Sequence, residues 1–282
     1  MQEMQPSIIP NAQRQDDVLW HVDDNGVATI TLNRTAKHNA FDACTIDLLI
    51  HRLDYLALRT DVRCLVLRSN GKHFSSGGAD LNWMQSMADS TRQDNFVDAQ
   101  NLARLMETLD SFPQPTIAVV QGSAYGGALL ICCSDIAIAS QSANFCLSEV
   151  KLGLVPATIA PYVMRAMGGN RQARRYILSG EVISAEDAER FGIVHEVKEA
   201  KQLENAVDSV IKTLLLNSPD AMRKAKTLCH QCHQNPPIDQ QLIHYTSKLI
   251  ADIRVSPPQG QDGLQAFLEK RSPSWVTKSQ DK

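Results

Sequence analysis

A chain of 282 residues with 43 % hydrophobic content is long enough for one large domain, or a domain with an appendage. Its 28 basic and 31 acidic residues, net charge −3, are mixed along the chain, which excludes an extended nucleic-acid or membrane surface. The apolar runs are all too short to span a bilayer. Seven irregularly spaced cysteines, lying mostly inside apolar runs, read as buried reduced thiols rather than a disulfide framework.

Residues 1–17 are polar, carry Pro6 and Pro10, and have Arg14 as their one basic residue. They lack the basic start and apolar stretch of a signal peptide, so they read as a frayed tail on a cytoplasmic protein. Val18–Val22 and Val27–Leu32 flank Asp23-Asp24-Asn25-Gly26, a hairpin turn between two antiparallel strands. Asp42 is placed to cap a helix whose Ile46, Leu49, Ile50, Leu53 and Leu56 recur at helical spacing. Arg63–Arg68 reads as a strand, Asp94–Phe112 as an amphipathic helix closed by Pro113 and Pro115, and Thr116–Val120 as another strand. A short buried helix is expected from Gly126, then strands over Ile136–Ala139 and Ala143–Leu147. Asn170, Ser184 and Ser218 read as later helix caps. Strand–strand–helix units over residues 18–200, followed by a helical region over 201–282, predict an α/β core of layered or superhelical type with C-terminal helices that cover it or meet neighbouring subunits.

Two glycine-bearing turns, Ser75-Ser76-Gly77-Gly78-Ala79-Asp80 and Gly122-Ser123-Ala124-Tyr125-Gly126-Gly127-Ala128, each follow an apolar strand and lead into a helix. Such turns leave backbone N–H groups without partners, and two side by side can aim one N–H each at a single oxygen. The plainer alternative is that the glycines only permit tight turns. Glu149, between Phe145-Cys146-Leu147 and Val150-Lys151-Leu152, is the candidate carboxylate: beside a polarised carbonyl it can move a proton at carbon. The alternative for Glu149 is a surface residue paired with Lys151. Cys229-His230-Gln231-Cys232-His233 matches a haem-attachment pattern, but with no signal peptide and no second ligand pair nearby it reads as a helix end, and no metal is expected. His73, Ser75, Ser76 and Asp80 cluster in sequence without the G-x-S-x-G elbow of a serine hydrolase.

From about Val18 to Trp275 the chain resembles the crotonase (enoyl-CoA hydratase/isomerase) superfamily. The resemblance is carried by Leu32-Asn33-Arg34 through Lys37-His38-Asn39-Ala40-Phe41, by Phe74 to Leu81, by Gly122 to Ala128, and by Ser148-Glu149-Val150-Lys151-Leu152-Gly153-Leu154-Val155-Pro156. Ile183-Ser184-Ala185-Glu186-Asp187-Ala188, Gly192-Ile193-Val194 and Ala266 to Arg271 come next in the family's order. It implies a crotonase-like superhelix of strand–strand–helix repeats with a C-terminal helical trimerisation region, assembling as a homo-trimer or a hexamer. It further implies that the Ala79 and Gly127 N–H groups hold an acyl-CoA thioester oxygen and that Glu149 is one of the acids of the hydratases. Lys37 and Asn39 are implied to lie against the CoA nucleotide, with Gly78, Asp80, Leu81 and Asn82 beside the CoA moiety. Lys270 is implied to reach a neighbouring subunit's CoA phosphates. CoA arrives on the substrate, and no separate cofactor is implied.

Two departures bear on the chemistry. Hydratases of the family carry a second Glu three residues past the oxyanion-hole glycine, where this chain has Leu130, and the segment from Gly127 to Asp135 is one residue shorter than usual. A lost residue rotates the remainder of a helix by about 100° unless it is absorbed locally. The segment Ala157-Thr158-Ile159-Ala160-Pro161-Tyr162-Val163 and the Gly-Gly-Ala turn resemble bacterial methylglutaconyl-CoA hydratases of leucine degradation. The expectation is therefore hydration of a short, branched or carboxylated 2-enoyl-CoA such as 3-methylglutaconyl-CoA, with Arg165 as the candidate cation for a distal carboxylate. The alternatives are an enoyl-CoA isomerase using Glu149 alone and a weakly active acyl-CoA-binding paralogue.

Overall fold

An antiparallel hairpin opens the fold: β1 (Val18–Val22) pairs with β2 (Val27–Leu32), with Val18 opposite Leu32. The structure is a computed structural model, described here over residues 12–76, 78–234, 238–255 and 259–276. α1 (Ala43–Ala57) follows, and the Asp42 carboxylate accepts the Thr45 N–H at 2.9 Å as its cap. The chain continues through β3 (Cys64–Ser69), α2 (Leu81–Ala88), α3 (Arg92–Asp110), β4 (Thr116–Val120) and the short β5 (Ala124–Tyr125). β6 (Ile136–Ser140), β7 (Asn144–Cys146), α4 (Ala160–Ala166), α5 (Asn170–Ser179), β8 (Ile183–Ser184), α6 (Ala185–Phe191) and β9 (Glu196–Lys198) complete the core. α7 (Leu203–Leu216), α8 (Pro219–Gln234), α9 (Gln240–Val255) and α10 (Gln259–Glu269) form the helical C-terminal region.

The strands divide into a six-stranded sheet of order β1-β2-β3-β4-β6-β9 and a three-stranded sheet of order β5-β7-β8. Successive passes lay one strand in the large sheet and one in the small: β4 is followed by β5, and β6 by β7. This is the strand–strand–helix spiral expected for the crotonase fold. Apart from the opening hairpin, the large sheet is parallel and buried on both faces. Leu65, Leu67, Ala118 and Val120 point to the side of α1 and α3, while their neighbours Cys64, Val66, Ile117 and Val119 meet Leu203, Val207 and Leu215 of α7. The alternation is the period-two geometry of a strand, and it explains why these runs are apolar throughout rather than amphipathic.

Two expectations need correction, and the helix expected from Gly126 is present in tighter winding. Of the tail expected over residues 1–17, residues 1–11 lie outside those described, but Ala12–Asp17 forms a 3-10 turn tied to the body. Arg14 bonds Asp17 and, at 2.9 Å, Asp42, and the Asp17 carbonyl accepts the Asn33 N–H at 2.8 Å. α5 is capped by Gly169 rather than Asn170. The segment Gly126–Cys133 winds as a 3-10 helix with Ala128 to Cys133 all buried. A 3-10 helix rises about 2.0 Å per residue against about 1.5 Å for an α-helix, so this segment is longer than an α-helix of the same number of residues.

Candidate active site

The first glycine turn is fixed by a short parallel bridge between Phe41 and Ala79. The Phe41 N–H donates to the Gly78 carbonyl at 2.8 Å, and the Asp80 N–H donates to the Phe41 carbonyl at 2.7 Å. In an extended segment successive N–H groups face opposite ways, so the Ala79 N–H points away from Phe41. Asp80 then caps α2 through the Asn82 N–H at 3.0 Å and pairs with Arg34 at 3.2 Å. Arg34 also pairs with Asp42 at 3.0 Å, so one half-buried guanidinium ties the caps of α1 and α2 together behind the turn.

The second turn is laid against the first. Ser75 bridges Ala124, with the Ser75 N–H donating to the Ser123 carbonyl at 3.0 Å and the Tyr125 N–H to the Ser75 carbonyl at 2.9 Å. Gly127 stands in the first turn of the 3-10 helix, where an N–H has no partner within the helix. Contact between the turns is close enough to demand glycine. Gly78 has φ +60°, and a Cβ there would lie 3.3 Å from the Tyr125 carbonyl oxygen. Gly126 has φ +56°, and a Cβ there would lie 3.2 Å from Glu149 Oε1.

Glu149 follows β7 as the first residue of a 3-10 turn over Glu149–Leu152, closed by Gly153 in the left-handed region. Its Oε2 is buried without a hydrogen-bond partner, and among the described residues it forms no ion pair, with Lys151 or any other cation. Burial pushes the carboxyl pKa up, and its own backbone N–H offsets this in part. Gly78, Ala79, Gly126, Gly127 and Glu149 all line one cavity of ≈ 520 Å³. Phe41, Met84, Met87, Leu102, Val155 and Ile159 supply much of its apolar wall. Two outward-facing N–H groups and a buried carboxyl with a raised pKa on one apolar cavity are components that can form an enolate from a thioester and move its proton.

The remaining candidate residues separate from this centre. Lys37 is exposed, at the end of a 3-10 turn over Thr35–Lys37. Asn39, expected against the substrate, is 2 % exposed, and its amide donates to the Asn70 and His73 carbonyls at 2.8 and 3.2 Å. It therefore shapes the loop, in the left-handed conformation that Asn tolerates (φ 55°). The Asp80 carboxylate is likewise committed to its cap and to Arg34, whereas Leu81 and Asn82 are exposed on the first turn of α2. Lys270 follows α10 and does not line the cavity.

Arg165, the expected partner of a distal carboxylate, is paired with Asp110 and lines a separate cavity of ≈ 330 Å³ with His195 and His230. Among the described residues lining the cavity of Glu149, none is cationic. Leu130, expected at the position of the usual second acid, is 1 % exposed inside the core and does not line the cavity of Glu149. The hydrolase cluster dissolves as well: Ser75 is wholly buried, and His73 bonds Ser123 Oγ at 3.2 Å. The Cys229–His233 segment forms the last turns of α8.

The sequence reading missed the outer wall built by α2 and α3. Trp83 Nε1 donates to Asp98 Oδ1 at 3.2 Å across the two helices, and both side chains line the cavity with Asn95 and Thr158. Burial raises the Asp98 pKa, with the Trp83 bond opposing and the charge of Asp47 adding to the rise. A signal was present: Asp98, Leu102, Leu105 and Leu109 share one face of α3, so an acid sits in line with core leucines.

Residues 23–278 match the family model described as enoyl-CoA hydratase/isomerase. The structure resembles the crystal structure of an enoyl-CoA hydratase from Shewanella pealeana, with TM-score 0.89 and 49 % identity over 93 % of this chain and 97 % of that one. Curated relatives include the trans-2-decenoyl-[acyl-carrier-protein] isomerase of Streptococcus mutans, 29 % identical over 93 % of this chain and 98 % of the relative. The 2,3-dehydroadipyl-CoA hydratase of Escherichia coli is 30 % identical over 88 % and 94 %.

Proposed function

This chain belongs to the enoyl-CoA hydratase/isomerase family, and we propose that within it the protein adds water to a short, branched 2-enoyl-CoA to give the 3-hydroxyacyl-CoA. The observation that carries the reading is the convergence of the Ala79 and Gly127 turns and the unpaired Glu149 carboxyl on one apolar cavity. The two N–H groups hold the thioester oxygen as negative charge develops on it, an interaction whose loss costs roughly 2.7–4 kcal/mol per donor in other enzymes. Glu149, whose hold on a proton burial strengthens, delivers the proton to C2 of the enolate.

The apolar wall of the cavity supports a hydrocarbon acyl group. A carboxylated one such as 3-methylglutaconyl-CoA, the substrate that would tie the chain to leucine degradation, finds no cation among the described lining residues. Isomerisation is the second reading, favoured by Leu130 standing where hydratases carry their second acid and by the isomerases among the relatives. Assembly as a trimer or hexamer through the C-terminal helices is part of the proposal. Leu264, Phe267 and Leu268 of α10 stay exposed on a single chain, and Lys270 beside them is then placed to meet a neighbour's CoA phosphates.

The test offers the purified protein crotonyl-CoA, 3-methylglutaconyl-CoA and a 3-enoyl-CoA while following the absorbance of the conjugated thioester. Loss of signal from crotonyl-CoA, faster than from the carboxylated ester, is the expected result. Gain of signal from the 3-enoyl-CoA alone would establish the isomerase. No change with any ester, alongside measurable acyl-CoA binding, would establish a binding paralogue instead.

A further inference from the structure

Among the described residues lining the cavity, Asp98 is the one ionisable group besides Glu149. It lies on α3 four residues before Leu102, so the two share a helix face about 6 Å apart along the axis. Leu102 itself reaches the second glycine turn, where its Cδ1 would stand 3.9 Å from a Cβ on Gly127. Asp98 is thus one helical turn outward from the oxyanion hole. An acyl chain whose thioester oxygen lies at the two turns extends into the same cavity that Asp98 and Glu149 both line, so Asp98 faces the space beyond the thioester carbon.

The side chain is also held for such a role. Trp83 Nε1 anchors Oδ1, and no other hydrogen bond or ion pair to Asp98 is formed among the described residues, so Oδ2 is left for a ligand. Its acidic neighbour Asp47 is engaged by Asn101, one further turn along α3. The 126–133 helix offers no carboxyl, because it contains neither Asp nor Glu.

We propose that Asp98 is a catalytic residue that binds the attacking water and takes its proton, so that the second carboxyl of the site comes from α3. The inference rests on the hydration reading above. In the step it assigns, a water lone pair forms the C3–O bond while the O–H proton passes to Asp98. The C2=C3 electron pair moves to C1–C2, and the thioester oxygen takes the negative charge under the Ala79 and Gly127 N–H groups. The enolate pair then takes the Glu149 proton at C2. Exchange with solvent returns the proton from Asp98 and reprotonates Glu149, leaving water added across the double bond and nothing oxidised or reduced.

Two reactions separate this role from a structural one. Hydration of crotonyl-CoA needs both carboxyls, whereas exchange of the C2 protons of butyryl-CoA with D2O, read by mass spectrometry, needs only Glu149 and the oxyanion hole. For Asp98→Asn in the full chain, hydration should fall about 100-fold while exchange stays within threefold of wild type. A fall of less than tenfold in hydration would overturn the proposal, and so would a loss of exchange in step with hydration. Wild-type protein that exchanges C2 protons but hydrates no enoyl-CoA would instead overturn the hydration reading, and this assignment with it.

Discussion

Replacing Gly126 with alanine tests the contact between the oxyanion turn and the acid. Gly126 sits at φ +56°, where an L-residue pays roughly 1–2 kcal/mol, and the new methyl would stand 3.2 Å from Glu149 Oε1 and 3.8 Å from Gly78 Cα. The carboxyl must give way by a few tenths of an ångström. Misplacement of a reacting group by about 1 Å costs on the order of 100-fold in rate, so a kcat loss of about tenfold is expected for this smaller shift. Gly168→Ala is the control, because Gly168 has φ +58° with nothing within 4 Å of a Cβ and does not line the cavity. Both variants should lose a few degrees of Tm by thermal scanning. Only Gly126→Ala should lose kcat in the enoyl-CoA absorbance assay, with KM little changed. Equal kcat losses in the two variants, or full kcat in Gly126→Ala, would refute the claim that this glycine keeps space for Glu149.

Two further outcomes are expected from burial. Folded Glu149 holds its proton at pH values where the unfolded side chain has released it, so wild-type stability falls as pH rises from the ordinary carboxylate value through the raised one. Glu149→Gln cannot ionise, so its Tm should exceed that of wild type above this window and match it below; a Tm difference that does not change with pH would contradict the assignment. Leu130→Glu, which restores an acid at the family's second position, should cost about 2–7 kcal/mol of stability without speeding hydration, since the side chain points into the core. A stable, faster Leu130→Glu enzyme, measured by Tm and kcat together, would show that the segment after Gly127 lies in a different register.

Much of this architecture was legible because its signals are local. Asn25-Gly26 between alternating runs fixes the opening hairpin, Asp42 caps α1 as its position foretells, and Ser184 accepts the Asp187 N–H at 3.1 Å at the start of α6. That Ala79, Gly127 and Glu149 line one cavity was foreshadowed by two glycine turns after strands and by an acid among apolar neighbours. The illegible features depend on contacts between distant segments. Asn39 and Asp80 are polar residues near the turns, and only the folded loops show them tied to Asn70, His73 and Arg34. Arg165 sits four residues past Pro161 on α4, yet the direction of that helix takes it to Asp110 and out of the cavity. The 3-10 winding after Gly126 was hidden because an apolar run buried on all sides shows no period to read.

The central claim is that Glu149 moves the proton at C2 of an acyl thioester held by Ala79 and Gly127. Its most direct test is the steady-state rate of Glu149→Gln with crotonyl-CoA, measured beside the dissociation constant for the same ester. The account predicts a fall in kcat of about 100- to 10,000-fold with affinity within threefold of wild type. A variant that turns over at the wild-type rate would contradict it.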